Sequence, residues 1–220
     1  MTATRHQYGP EHLTQEGFQA KHDTRRRTLD LLMASDYFIP EGGFLNGDWL
    51  DLCGERDETL RMLLDEGVLR PGSSRYIGVN DNPDVLALNR EHFKEATADG
   101  RAVWVEGSWG SVTADLSQHP RVRVINFDSC NKLGNKHLGS ILLDSLALAE
   151  HLFRRNGTVL LVLNFTIGRT ANCRQTVEGY IARVNEWREA LNPGNQTMPQ
   201  FCHYISKAMP MLNMWVPLGF

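Results

Sequence analysis

Leu50-Asp51-Leu52-Cys53-Gly54-Glu55-Arg56-Asp57 decides how this chain is read. An acid stands inside an apolar, strand-like run, a glycine closes the run, and two more acids follow. The glycine permits a tight turn and the close approach of a ligand. The acids accept hydrogen bonds from an amine or a ribose. On this stretch alone a plainer reading stands level: Gly54 makes a turn and Asp57 caps the next helix.

Outward from it, strand-like and helix-like stretches alternate. A helix runs through Leu29, Leu31, Leu32 and Met33, capped at Asp23 or Thr24, with Pro40 and Gly42-Gly43 closing the segment. Residues 49–53, 75–79, 102–105, 122–127 and 158–165 read as strands. Residues 58–66, 81–93 and 138–153 read as helices, the last with Leu138, Leu142, Leu146, Ala149 and Phe153 at steps of four and three. Residues 177–191 give one more helix, stopped by Asn192-Pro193-Gly194. The run 158–165 is apolar enough that both its faces must be covered. Such alternation means crossover units, hence an α/β chain with a mainly parallel sheet and helices on both faces. Residues 201–206 and 211–217 break the alternation and read as a terminal antiparallel hairpin. Residues 1–22 are polar and weakly patterned, an expected arm or cap, and residues 23–220 are expected to form one domain.

Composition narrows the function classes. The 220 residues suffice for one sizeable core, and 41% hydrophobic with 22% charged residues argues against wholesale disorder. A net charge of -3 argues against a strongly basic protein that coats nucleic acid or an anionic membrane. No apolar run reaches the ~18–20 residues that cross a bilayer, so no membrane partner is expected. The first ten residues lack the apolar stretch of a secretory signal, and a cytoplasmic setting is expected. Cys53, Cys130, Cys173 and Cys202 are scattered, as reduced thiols would be. No His-x-x-x-His pair or Cys/His cluster suggests a metal. A phosphate loop of the Gly-x-x-x-x-Gly-Lys type and a Gly-x-Ser-x-Gly elbow are both missing. Arg25-Arg26-Arg27, with Lys21, His22, Lys132, Lys136 and His137, reads chiefly as a solvated face, with phosphate contact the lesser alternative. The apolar end around Met211, Leu212, Met214 and Trp215 is most simply a core strand, and otherwise a homo-oligomer edge.

Ligands of an open parallel sheet bind beyond the carboxyl ends of its strands. The second end, Tyr76-Ile77-Gly78-Val79-Asn80-Asp81-Asn82-Pro83, sets polar side chains where a ribose hydroxyl pair would lie, or else caps the next helix. The third, Val105-Glu106-Gly107-Ser108-Trp109, offers an aromatic and a small polar group to a purine, against a loop with a partly buried Trp. The fourth, Asn126-Phe127-Asp128-Ser129-Cys130-Asn131, looks more like a site than a turn. Asp128 orienting or deprotonating an acceptor stands level with Asp128 bonding backbone amides of the next loop. Cys130 reads as a small buried residue, with a nucleophilic thiol the lesser alternative. The fifth end, from Asn164 to Arg169, touches substrate or makes a plain turn.

Taken in order, Asp51-x-x-Gly54, Gly78-Val79-Asn80, Gly107-Ser108-Trp109 and Asn126-Phe127-Asp128 resemble the motif series of class I S-adenosylmethionine-dependent methyltransferases. The resemblance covers roughly residues 48–165. It implies a three-layer Rossmann-like sandwich of about seven strands with a C-terminal antiparallel hairpin. It implies S-adenosylmethionine as cofactor, with Asp51, Cys53, Gly54 and Glu55 at its methionine part. Asn80, with Asp81 beside it, falls at the ribose; Gly107, Ser108 and Trp109 fall at the adenine. Asn126, Phe127, Asp128 and Ser129 line the methyl-transfer site, with Asp128 and Asn126 as the catalytic candidates and Phe127 against the cofactor. The chain departs from the pattern in keeping one glycine in the first motif, in Asn80 for an acid and in Ser108 for an acid. Its fourth motif is not Asn/Asp-Pro-Pro-aromatic.

The leading expectation is methyl transfer to an unidentified acceptor, with nucleic acid the first choice on the breadth of the family. The alternative is a non-catalytic methyltransferase-like binding or regulatory protein. A nicotinamide-dependent oxidoreductase is disfavoured, because no Gly-x-Gly-x-x-Gly follows the first strand.

Overall fold

The structure is a computed structural model that describes residues 22–23, 25–30, 33, 38–39, 44–45, 47–55, 57–115, 119–132, 136–157, 159–166, 171–191, 200–205 and 210–218. Seven strands form one sheet: β1 (Asp48–Leu52), β2 (Tyr76–Asn80), β3 (Ala102–Glu106), β4 (Val122–Lys132), β5 (Val159–Thr166), β6 (Gln200–Ile205) and β7 (Pro210–Leu218). Their order is β3-β2-β1-β4-β5-β7-β6. β1 to β5 are parallel, and β7 runs antiparallel to both β5 and β6. The helices are α1 (Glu58–Asp65), α2 (Pro83–His92), α3 (Lys94–Ala98), α4 (Trp109–Ala114), α5 (Lys136–Asn156) and α6 (Ala171–Leu191).

Local chemistry fixes where the helices begin. Asp57 accepts the Leu60 N–H at 3.1 Å and starts α1. Asn82 accepts the Asp84 N–H at 3.0 Å, with Pro83 preset for the first turn of α2. Ser108 accepts the Ser111 N–H at 3.2 Å and starts α4.

Strand alternation splits the core in two. Leu50, Ile77, Phe127, Leu161 and Val216 join Trp109 and Val112 of α4, Leu148 and Leu152 of α5 and Val184 of α6. Trp49, Tyr76, Val124, Leu160 and Trp215 join Leu29, Leu60 and Leu63 of α1, and Leu86 of α2. The result is an α/β sandwich of three layers. Val159 to Leu163 are buried along the whole run, which explains why β5 is apolar on both faces.

Gly78 in β2 sits under a ring. A Cβ there would come within 2.7 Å of Trp104. Gly78→Ala is therefore expected to cost about 1–3 kcal/mol through overpacking. Urea denaturation checks this, and an unchanged midpoint would contradict it.

Several boundaries differ from the sequence reading. β4 runs on through Lys132 because its backbone continues to pair with β5, Asp128 opposite Asn164, with a register shift between Ser129 and Lys132. The fourth motif thus lies within a strand and not after one. Trp109 opens a helix, not a loop. Phe38–Ile39 and Phe44–Leu45 form a small antiparallel pair that the sequence reading treated as a helix end. β7 is paired on both sides, so its backbone offers no edge to a second copy; the sheet edges are β3 and β6. The expected arm lies outside the described residues except for His22. Among the described residues, no helix is long and apolar enough to cross a membrane.

Candidate functional site

Strand order reverses between β1 and β4, and Asp51 stands at that reversal, opposite Gly78 of β2 and Asn126 of β4. The Asn126 Nδ2 donates to Asp51 Oδ1 at 2.9 Å. The Tyr76 hydroxyl lies 3.0 Å from Asp51 Oδ2 and 2.8 Å from Asp57 Oδ1. One phenolic proton cannot serve both carboxylates, and burial together with the two acids pushes the Tyr76 hydroxyl well above its usual range. The remaining proton must come from a carboxyl group.

Asp57 is the better placed to hold it. Burial raises the Asp51 carboxyl to about 6; the Asp128 charge adds to this, and the Asn126 and Tyr76 bonds and the Arg25 charge oppose it. Burial raises Asp57 to about 8, with the Asp51 charge adding and Tyr76, the Leu60 amide and Arg25 opposing. Asp57 Oδ2 is buried with no hydrogen-bond partner among the described residues, a poor setting for an ionised oxygen. Its backbone sits at φ 31, in the left-handed region that a non-glycine residue enters at a cost.

The polar row continues across the sheet. Asn164 Nδ2 donates to Asn126 Oδ1 at 3.3 Å. Arg25 reaches in from the helical residues 25–30, with its guanidinium 3.8 Å from Asp128 Oδ2 and its Nε donating to Thr59 Oγ1 at 3.1 Å. That segment is docked by the fully buried Leu29 and by the Trp215 indole N–H donating to Thr28 Oγ1 at 2.7 Å. Arg25 therefore faces the site, while Arg26 turns outward to Asp30 and Glu66.

The turn after β1 hangs from two amides. Asn80 Nδ2 donates to the Cys53 carbonyl at 2.6 Å, and Asn89 Nδ2 to the Gly54 carbonyl at 2.8 Å. Asn80 Oδ1 also accepts the Asn82 N–H at 2.8 Å. The Cys53 thiol donates to the Val79 carbonyl at 3.4 Å, and burial first, then Asp57 and Asp51, push its pKa far up. It is inert as a nucleophile at neutral pH. Gly54 and Glu55 are exposed, and a Cβ at Gly54 would meet nothing within 4 Å among the described residues. Asp81 is exposed beside Asn80. The Gly107 N–H donates to the Asn80 carbonyl at 3.1 Å, which brings the third motif against the second.

Trp109 and Phe127 lie elsewhere. They pack on the opposite face of the sheet with ring centroids 5.4 Å apart, and the Trp109 indole N–H donates to Ser145 Oγ at 2.8 Å. So Asn126 holds Asp51, while Asn80 and Asn89 hold the carbonyls of Cys53 and Gly54, with Asp128 on β4 beside Asn126. Trp109 and Phe127 form the floor behind. Tyr76 and Asn89 carry no site signal in the sequence; Asn164 reads there as a substrate contact or a plain turn, and Arg25 chiefly as a solvated face.

No protein-family model matches the chain, and no curated protein matches its sequence. Solved structures do. A candidate rRNA methylase from Clostridium thermocellum superposes with a TM-score of 0.54 at 13% identity, over 89% of this chain and 97% of the other. A candidate O-methyltransferase from Klebsiella pneumoniae gives 0.52 at 14% identity, over 88% and 79%. The candidate methyltransferase yhhF from Escherichia coli gives 0.51 at 10% identity, over 89% and 84%.

The fold is that of the class I S-adenosylmethionine-dependent methyltransferases. Within the methyltransferase fold, the hydrogen-bonded group just described occupies the carboxyl ends of β1 and β2 and the middle of β4, at the reversal of strand order where open α/β sheets bind their ligands. Fold by itself does not set function, so the argument passes to the chemistry of these residues.

Proposed function

We propose that the chain binds S-adenosylmethionine at the carboxyl ends of β1 to β4 and directs methyl transfer to an acceptor held near Asp128. One observation carries this reading: Asp51, Asp57 and Asp128 converge at the strand-order reversal, where burial first and the neighbouring acid second raise the Asp51 and Asp57 carboxyls above their ordinary range. A pocket of that kind suits a cationic ligand, and this cofactor carries an ammonium and a sulfonium. The open space over Gly54 fits it as well. When bound, the cofactor supplies a methyl carbon that is already electrophilic.

The residues divide the remaining work. Asp51, Cys53, Gly54 and Glu55 would border the methionine part, Asn80 and Asp81 the ribose, and Gly107 and Ser108 the adenine, with Trp109 and Phe127 supporting from behind. Asn126 holds Asp51 in place. Asp128 orients the acceptor and takes the proton it sheds. Nucleic acid is the acceptor of first choice, supported by the likeness to the candidate rRNA methylase from Clostridium thermocellum. With a net charge of -3, such contact would be local, at Arg25 to Arg27, not a broad basic surface. The buried free thiol of Cys53 supports a reducing, cytoplasmic setting. A second reading, a non-catalytic methyltransferase-like binding protein, draws support from Asn80, whose amide is already engaged on both sides by Cys53 and Asn82.

Calorimetric titration with S-adenosylmethionine and S-adenosylhomocysteine tests the proposal. Micromolar binding is expected; no heat and no thermal shift at millimolar ligand would sink it. Gly54→Val sharpens the test. Its added side chain starts in open space, so the unfolding midpoint should hold while affinity falls about tenfold or more, or about 1.4 kcal/mol. Equal loss of stability and affinity would show that the turn is structural only.

A further inference from the structure

The amide row of β4 and β5 ends on an oxygen without a donor among the described residues. An ionised Asp51 only accepts, so Asn126 must turn its Nδ2 toward it, at 2.9 Å, and offer Oδ1 to the next residue. Asn164 must then donate, and its Nδ2 lies 3.3 Å from Asn126 Oδ1. This order fixes the Asn164 carboxamide: its Oδ1, the other branch of the same planar fork, turns away from Asn126. Asn164 is 5% exposed, and its Oδ1 is buried with no hydrogen-bond partner among the described residues. A buried acceptor left without a donor is costly and rare, and it points to a donor that arrives from outside.

Asn164 lies directly across from Asp128 in the parallel register. Neighbouring strands stand about 4.8 Å apart, so the two side chains flank one small group. Both present acceptors: a carboxamide oxygen and a carboxylate. A primary amino group has two N–H donors and matches both; a hydroxyl has one, and a carbonyl has none and meets two negative dipoles.

We propose that Asn164 and Asp128 together select an amino nitrogen as the methyl acceptor, so that the substrate carries a primary amine and is methylated on nitrogen. This rests on the cofactor reading above. In the step, the nitrogen lone pair forms the N–C bond, the C–S bond breaks with its electrons left on sulfur, and the nitrogen's surplus proton passes to the Asp128 carboxylate. Asn164 is a specificity residue here, holding one N–H while the lone pair points at the methyl carbon.

The full chain, saturated with S-adenosylhomocysteine, is titrated with cytidine and uridine monophosphates and with guanosine and inosine monophosphates. The first pair exchanges an amino group for an oxo group, the second for a hydrogen. The amino member of each pair should bind about tenfold or more tighter, since a site built around a donor rejects the analogue that lacks it. Asn164→Leu should bring both ratios near one while S-adenosylhomocysteine still binds. If that variant fails to fold, the wild-type ratios decide. Equal binding within the pairs, or none of the four at millimolar concentration, on a chain that binds S-adenosylhomocysteine, overturns this inference and leaves the cofactor reading standing. No binding of S-adenosylhomocysteine overturns both.

Discussion

Asp51→Ala should weaken S-adenosylhomocysteine binding about a hundredfold, and Asp51→Asn about tenfold. The difference between the variants carries the argument. Asp51→Asn keeps an oxygen for the Asn126 Nδ2 and can donate to the Tyr76 oxygen, so the row of hydrogen bonds stays closed and only the charge is lost. Asp51→Ala removes both and leaves the Asn126 Nδ2 buried without its acceptor, which costs about 1–3 kcal/mol of stability as well. Calorimetry therefore has to be run well below the unfolding midpoint, after circular dichroism shows a folded chain. Wild-type affinity in both variants would place the ligand somewhere other than the reversal of strand order.

Much of this fold was legible in the chain, and the illegible parts have a common cause. β1, β2, β3 and β5 announce themselves through short apolar runs ended by Gly or Asn, and the helices through their spacing and caps. β4 was cut short at Phe127 because its apolar pattern gives out there, while backbone pairing with β5 carries the strand on to Lys132. The start of α4 was missed because Ser108 was weighed as a ligand contact; a Ser before an apolar residue is also an N-cap signal. The site divides in the same way. Asp51, Gly54 and Asn80 lie next to their own strand ends and show in the order of motifs. Tyr76 and Asn126 meet Asp51 across 25 and 75 residues, Asn89 meets Gly54 across 35, and Arg25 meets Thr59 across 34. Sequence spacing cannot announce such contacts. Asp57 illustrates how both readings of a residue can hold: it caps α1 and it belongs to the buried acidic group. Trp109 shows how a motif position can be filled by a residue whose contacts lie in the core.

Stability is expected to fall as pH rises, and Asp57→Asn to remove much of that fall. Asp51 at about 6 and Asp57 at about 8 both lie above the ordinary value of 3.8. Between about pH 4 and those values the folded chain keeps protons that the unfolded chain has released. Their contribution is thus full below about pH 4 and is lost as pH climbs through about 6 and then about 8, at up to about 1.4 kcal/mol per pH unit for each group. His119 acts in the opposite sense, since burial lowers its pKa and the unfolded chain binds that proton more readily. The comparison of the native chain with Asp57→Asn cancels His119 and every other distant group. Asp57→Asn keeps Oδ1 for the Leu60 N–H and for Tyr76, so the cap survives; Asp57→Ala loses it and should cost about 1 kcal/mol even at low pH. Thermal unfolding should then give nearly equal midpoints for the native chain and Asp57→Asn near pH 4, with the variant several degrees higher near pH 8. Parallel curves across that span would mean that Asp57 holds no proton. Binding adds a second readout from the same chemistry. A cationic ligand favours the ionised acids, so it should expel protons near neutral pH, and the binding heat should change with the ionisation enthalpy of the buffer. Asp57→Asn should lower the number of protons expelled while leaving Asp51 in place, which separates the two acids where the native titration blends them.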